Sequence, residues 1–107
     1  MKTILVVDTD EITREMIRRS LDEAGYQVVT AVHPQKALKQ LEETAVDLLV
    51  FGYHPADDLA LLSRLPAVVY LPAGVAETEV YKAGARAVLG SPFTVDELLA
   101  AVVASLD

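Results

Sequence analysis

Short apolar runs along this chain alternate with longer segments in which apolar residues recur at helical spacing. The first run, 4–7, is continuously apolar, which is typical of a strand that is buried on both faces of a sheet. Similar short runs recur along the rest of the chain. Together they predict five strands, at 4–7, 27–32, 48–51, 67–71 and 86–89.

The segments that follow these runs predict helices. In the first of them, Ile12, Met16 and Leu21 belong to an apolar stripe with a period of three to four residues, as in an amphipathic helix. Thr94 and Glu97 have the spacing of a capping box and mark the start of the last helix. The predicted helices cover 10–24, 34–41, 57–65, 75–83 and 94–106.

Strands that alternate with helices in this way predict a parallel sheet with right-handed crossovers and helices on both faces. The expected architecture is therefore an α/β three-layer sandwich of (βα)5 type. A chain of 107 residues forms one domain, so we expect a single domain over 1–107.

The composition narrows the possible functions. A hydrophobic content of 52% excludes a disordered chain, and the lack of cysteine excludes thiol catalysis, zinc–thiolate sites and disulfides. The net charge is −7 and no basic cluster occurs, which argues against nucleic-acid binding and favours a protein partner. No apolar run is long enough for a membrane span or a signal peptide, so we expect a cytoplasmic protein.

Functional groups of parallel α/β sheets collect beyond the carboxyl ends of the strands. In this chain those positions are 8–10, 52–54, 72–73 and 90–93. The acidic segment 8–10 is unlike the glycine-rich loops that bind phosphates, so nucleotide binding is disfavoured. The two histidines lack metal-ligand spacing, and we expect no zinc site.

Five short sequence motifs, spread over essentially the whole chain, have a characteristic order. In these motifs and their order the chain resembles the receiver domain of two-component response regulators. The resemblance implies a flavodoxin-like fold with sheet order 2-1-3-4-5. The motifs are Ile4-Leu5-Val6-Val7-Asp8, Ala24-Gly25-Tyr26, Asp47-Leu48-Leu49-Val50, Ala83-Gly84-Ala85 and Ser91-Pro92-Phe93.

The resemblance also implies a chemistry. Receivers accept a phosphoryl group from a histidine kinase on an aspartate at the end of the third strand. An acidic pair after the first strand helps to hold Mg²⁺, a Ser or Thr follows the fourth strand, and a Lys follows the fifth. Each group is needed, because the acceptor must be a carboxylate and the charge that develops on the transferred group must be balanced.

In this chain most of these positions carry other residues. The acceptor position is Gly52, the acidic pair is Asp8 and Thr9, the Ser/Thr position is Pro72 and the Lys position is Ser91. Only Asp8 is retained. We therefore expect a pseudo-receiver that is not an enzyme, needs no cofactor, binds Mg²⁺ weakly or not at all, and signals through protein contact without aspartyl phosphorylation.

Three alternatives stay open at this point. Asp10 could replace the missing carboxylate beside Asp8 in a weak metal site, although it is better placed to cap the first helix. Asp57 or Asp58 could be a relocated phosphoacceptor, although both lie near a helix start, where acidic residues are common. The emptied pocket could instead bind a small molecule, and 53–54 could contact a ligand or partner at its rim.

Two further expectations concern the end of the chain. The resemblance implies a cis peptide bond between Ser91 and Pro92. In the last helix the apolar stripe is formed by Val95, Leu98, Leu99, Val102 and Leu106, which we expect to face the core. The opposite side carries Glu97, Ala100, Ala101 and Ala104. Alanine there could reflect helix propensity alone; the alternative is close contact with a protein partner, which could be a kinase, an effector or a second copy of the chain.

Overall fold

The sheet has the expected order and direction. In the computed structural model, which describes residues 1–54, 59–72 and 74–106, five parallel strands follow the order β2-β1-β3-β4-β5. This confirms the flavodoxin-like fold, and the strand bounds agree with the predictions to within one residue. The strands are β1 (Thr3–Val7), β2 (Gln27–Ala31), β3 (Leu48–Gly52), β4 (Ala67–Leu71) and β5 (Ala87–Gly90).

Helices cover both faces of this sheet. The structure contains α1 (Glu11–Glu23), α2 (Pro34–Glu43), a 3₁₀ turn at Ala60–Ser63, α3 (Thr78–Ala83) and α4 (Val95–Leu106). One core cluster unites side chains of α1 and α4 with one face of the sheet, and a second cluster unites α2, the 3₁₀ turn and α3 with the other face. Within the described ranges, no helix combines the length and apolarity that a membrane span requires.

Two predicted helices differ from the structure. The segment 57–65 contains only the 3₁₀ turn Ala60–Ser63 in its described part, where Leu59 provides no side-chain cap. The helix expected at 75–83 begins only at Thr78, since Gly74 has a φ of 87° and Glu77 provides no side-chain cap. The structure thus has four α-helices among its described residues rather than five.

Side chains cap the starts of α1, α2 and α4, as predicted for α1 and α4 but not for α2. Asp10 caps α1, and the imidazole of His33 accepts a hydrogen bond from the backbone N–H of Lys36 at the start of α2. The capping box of α4 is complete, because the Thr94 hydroxyl accepts the backbone N–H of Glu97 at 3.1 Å and the Glu97 carboxylate accepts the backbone N–H of Thr94 at 3.0 Å. These caps fix where each helix leaves the sheet.

Strand alternation decides which side chains meet at the top of the sheet. Successive residues of a strand point to opposite faces, so the side of β1 that carries Ile4 and Val6 also carries Asp8 just beyond the strand. On the same side, β4 presents Tyr70, whose register partner is Gly52 of β3. Three neighbouring strands therefore bring Asp8, Gly52 and Tyr70 together on the α1 and α4 side.

Candidate functional site

A cleft opens at the carboxyl ends of β1, β3, β4 and β5. Its volume is about 230 Å³, which is below the roughly 300–1,000 Å³ that is usual for small-molecule pockets. The ends of parallel strands lie at one edge of a sheet, and this edge brings together all six residues that the sequence placed in the pocket. They are Asp8, Thr9, Asp10, Gly52, Pro72 and Ser91.

The carboxylate of Asp8 lies at the base of the cleft and is almost fully buried, with 6% of the residue exposed. Its Oδ1 accepts a hydrogen bond from the backbone N–H of Asp10 at 2.8 Å. Its Oδ2 accepts a hydrogen bond from the hydroxyl of Tyr70. Both oxygens of this carboxylate therefore have a protein donor.

Tyr70 is the residue of the site that the sequence analysis missed. Its ring is buried, and it packs against Phe93 with ring centroids 5.1 Å apart and ring planes inclined by 57°. Burial raises the pKa of the Tyr70 phenol, and the hydrogen bond to Asp8 and the charge of that carboxylate raise it further. The phenol is therefore protonated, and able to donate its hydrogen bond, throughout the neutral range.

Gly52 makes room for this tyrosine. A Cβ atom added at Gly52 would lie 2.7 Å from the Tyr70 hydroxyl oxygen, 2.7 Å from Asp8 Oδ2 and 2.8 Å from Tyr70 Cε2. Real Cβ atoms essentially never show contacts this short. The backbone at Gly52 has no positive φ, so it is space and not backbone conformation that favours glycine here.

Asp10 caps α1 from the rim of the cleft. Its Oδ2 accepts the backbone N–H of Thr13 at 2.9 Å and the Thr13 hydroxyl at 2.5 Å. The hydroxyl bond and then the backbone bond lower the pKa of the Asp10 carboxyl. The guanidinium of Arg14 donates to the backbone carbonyl of Asp8 at 2.8 Å.

These groups do not fit the Mg²⁺ that the family resemblance implies. A hard dication needs several charged or carbonyl oxygens, whereas Asp8 has donors on both oxygens and Asp10 is engaged by Thr13. Across 1–54, 59–72 and 74–106, no three His, Cys, Asp or Glu residues are grouped as metal ligands. The other two signature positions supply Pro72 and Ser91, neither of which carries a charge.

The remaining residues of the site also have defined places. The Ser91–Pro92 bond is cis, as the resemblance implies, and the backbone N–H of Ser91 donates to the carbonyl of Leu71 at 2.8 Å. Tyr53 and His54 line the cleft. Asp57 and Asp58, the candidates for a relocated acceptor, lie outside the described residues.

The outer side of α4 differs from the prediction at two positions. Glu97, Ala100 and Ala104 are exposed, but Ala101 is half-buried against the core, because it lies three residues after the buried Leu98 on the same helix stripe. Val95, expected in the core, is 43% exposed at the first turn of the helix. Val103, which the prediction omitted, is 52% exposed and adds an apolar group to the outer side.

Comparison with known proteins places this architecture in a family, although no protein-family model matches the chain. A provisionally assigned response regulator from Chloroflexus aurantiacus J-10-fl is 30% identical, with a TM-score of 0.87 over 98% of this chain and 97% of that one. A response regulator receiver domain protein (CheY-like) from Methanospirillum hungatei JF-1 shares the fold, with a TM-score of 0.88, 24% identity and coverage of 100% of this chain and 94% of that one.

A curated relative supports the same kinship. The uncharacterized transcriptional regulatory protein YrkP of Bacillus subtilis (strain 168) is 32% identical over 114 residues, which cover 96% of this chain. The chain spans about half the length of that relative, 48%. The sheet order, the cleft at the strand ends and these relatives agree, and the chain belongs to the receiver-domain family of two-component response regulators.

Proposed function

We propose that this receiver works without aspartyl phosphorylation and signals by protein–protein contact. The observation that carries the proposal is the base of the cleft, where Tyr70 lies against Gly52 and donates its hydroxyl hydrogen to Asp8. The acceptor position has no side chain, so no nucleophile is available there for phosphorus. The domain in this proposal is cytoplasmic, is not an enzyme and needs no cofactor.

The charge of the pocket supports the same conclusion. Phosphoryl transfer requires cations near the transferred group, because negative charge is spread over its equatorial oxygens in the transition state. In this chain Ser91 stands where the family has a lysine, and Thr9 stands where it has a second metal-binding carboxylate. The signature positions thus supply neither the nucleophile nor the compensating positive charge.

Phosphotransfer is tested by incubating the protein with acetyl phosphate and Mg²⁺ and measuring its intact mass. We expect one unmodified species. A base-labile phosphorylated species would contradict the proposal, and its loss in Asp57→Asn or Asp58→Asn would identify a relocated acceptor. A receiver of known phosphorylation competence, treated in parallel, shows that the donor is active.

The contact surface that we propose is the outer side of α4. It contains Glu97, Ala100, Val103 and Ala104, all exposed, so a partner can approach the helix closely and still bury an apolar side chain at its centre. Small residues bury little area, so we expect a modest and transient contact with a protein, including a second copy of this chain. Nucleic acid and membranes are not partners in this proposal.

Charge placed on this surface tests the contact. The double variant Ala100→Glu/Ala104→Glu should weaken self-association in sedimentation, or partner capture in a pull-down, whether or not acetyl phosphate is present. Ala45→Glu is the matched control, because Ala45 is an exposed alanine outside α4. Thermal melting of each variant verifies its fold. Association that is unchanged in a folded double variant, or that requires the phosphodonor, would contradict the proposal.

A further inference from the structure

The carboxylate of Asp8 presents a physical problem that the cleft has to solve. A buried carboxylate is costly unless it is paired or hydrogen-bonded. The family resemblance implies a metal ion as the partner of this carboxylate. Here only 6% of Asp8 is exposed, and no buried side-chain oxygen or nitrogen of the described residues lacks a hydrogen-bond partner. The chain itself therefore satisfies Asp8.

We infer that Tyr70 is an internal ligand that takes the place of the divalent cation in this pocket, an inference that rests on the proposed function. Its phenolic O–H binds Oδ2 of the Asp8 carboxylate, while the backbone N–H of Asp10 binds Oδ1. The tyrosine thus stabilises the buried carboxylate and occupies the space beside it. Metal binding and the present position of Tyr70 exclude each other.

The glycine at the acceptor position is part of the same arrangement. Gly52 and Tyr70 are register partners on adjacent strands, so their side chains would compete for one space. A Cβ at Gly52 would lie within 2.8 Å of both the ring and the hydroxyl of Tyr70. An acceptor carboxylate at position 52 would therefore clash with Tyr70 in its present position, and the glycine at 52 and the tyrosine at 70 depend on each other sterically.

Phe93 holds the tyrosine in this position. Its ring packs on that of Tyr70 at 5.1 Å between centroids, and it lies directly before the capping box of α4. An aromatic pair of this geometry restricts the tilt of the Tyr70 ring in addition to burying it. Both the packing of Phe93 on the Tyr70 ring and the hydrogen bond to Asp8 therefore fix the direction of the hydroxyl.

The test removes the internal ligand and measures Mg²⁺ binding alone. Tyr70→Phe keeps the ring and removes the hydroxyl, and Tyr70→Leu also opens space beside Gly52. A ligand that binds only the native state raises the melting temperature. We expect Mg²⁺ to raise the melting temperature of at least the Tyr70→Leu variant, with an apparent affinity at least about tenfold tighter than that of the wild type by calorimetry. Adding Asp8→Asn should abolish the gain.

Tyr81→Leu is the matched control, because Tyr81 is a half-exposed tyrosine on α3 that does not line the cleft. If Tyr70→Leu fails to fold, Tyr70→Phe provides the same comparison with the ring packing retained. The inference is overturned if neither Tyr70 variant gains Mg²⁺ binding. It is also overturned if the wild type binds Mg²⁺ as tightly as the variants, and loss of that binding in Asp10→Asn would assign the site to Asp10.

Failure of this inference is distinguishable from failure of the proposed function. Phosphoryl transfer to the wild-type protein, measured by intact mass, refutes phosphorylation-independent signalling. Mg²⁺ binding by the unphosphorylated wild type that is as tight as binding by the Tyr70 variants, measured by melting and calorimetry, refutes the assignment of Tyr70 as the internal ligand.

Discussion

Adding one methyl group at Gly52 should destabilise the protein, whereas adding the same group at Gly90 should not. Both glycines lie at strand ends without a positive φ, but a Cβ at Gly90 meets nothing within 4 Å. Replacing glycine by alanine where the backbone permits it stabilises a protein by about 0.4–1 kcal/mol through the unfolded state. Gly90→Ala should show this gain.

At Gly52 the same gain is outweighed by a clash. The new Cβ would have three contacts of 2.7–2.8 Å, and the two side chains it meets are buried and bonded to each other, so neither can move aside freely. Overpacking of a buried site costs about 1–3 kcal/mol. After subtraction of the entropic gain, we expect Gly52→Ala to lower the free energy of unfolding by about 1–2 kcal/mol.

A double-mutant cycle assigns this cost to Tyr70. In the background of Tyr70→Leu, the contacts to the ring and hydroxyl are gone and only the contact to Asp8 Oδ2 is left, to a carboxylate that the phenol no longer holds in place. Gly52→Ala should therefore lose most of its cost. The coupling free energy between the two positions should be about 1–3 kcal/mol, as for residues in direct contact. Urea unfolding of the four proteins and of Gly90→Ala supplies every value. A Gly52→Ala variant as stable as Gly90→Ala, or a cycle without coupling, would refute the steric explanation.

The capping box of α4 and the titration of Tyr70 each lead to a further prediction. Thr94→Ala removes one half of the α4 capping box and should cost about 1 kcal/mol in urea unfolding, whereas Thr94→Ser should retain most of the stability. Because burial raises the pKa of Tyr70 in the native state, its contribution to stability is complete below about pH 10 and is lost as the pH rises further. Above about pH 10, the free energy of unfolding should therefore fall less steeply in Tyr70→Phe than in the wild type, by about 1.4 kcal/mol per pH unit. Urea unfolding at alkaline pH measures both slopes, and equal slopes would disprove the prediction.

The fold could be predicted because each strand is a short apolar run with helical segments on either side. Buried parallel strands have this pattern, and their common direction brings their carboxyl ends to one edge of the sheet. For that reason the sequence placed six residues, from Asp8 to Ser91, around one cleft, and the structure has all six there. Capping also has a local signature, which is why the start of α4 at Thr94 was predicted.

The interactions inside the cleft could not be predicted, because they depend on register and on relative helix orientation. A tyrosine in the otherwise apolar run 67–71 signals that a buried hydroxyl needs a partner, but the sequence does not say that Gly52 lies beside it or that Asp8 accepts its bond. The error at Ala101 has a similar origin. Helical period alone does not fix how widely the core wraps around α4, and the structure includes Ala101 in that core.

The most direct test of the closed pocket is an amide correlation spectrum of the nitrogen-labelled protein, recorded before and after addition of Mg²⁺ and acetyl phosphate. The backbone amides of Asp10, Gly52 and Ser91 lie around the cleft and would report any metal or phosphoryl group that enters it. If Tyr70 closes the site, their signals should stay in place throughout the titration. Saturable shifts of these amides, spreading to β5 and α4, would contradict the account.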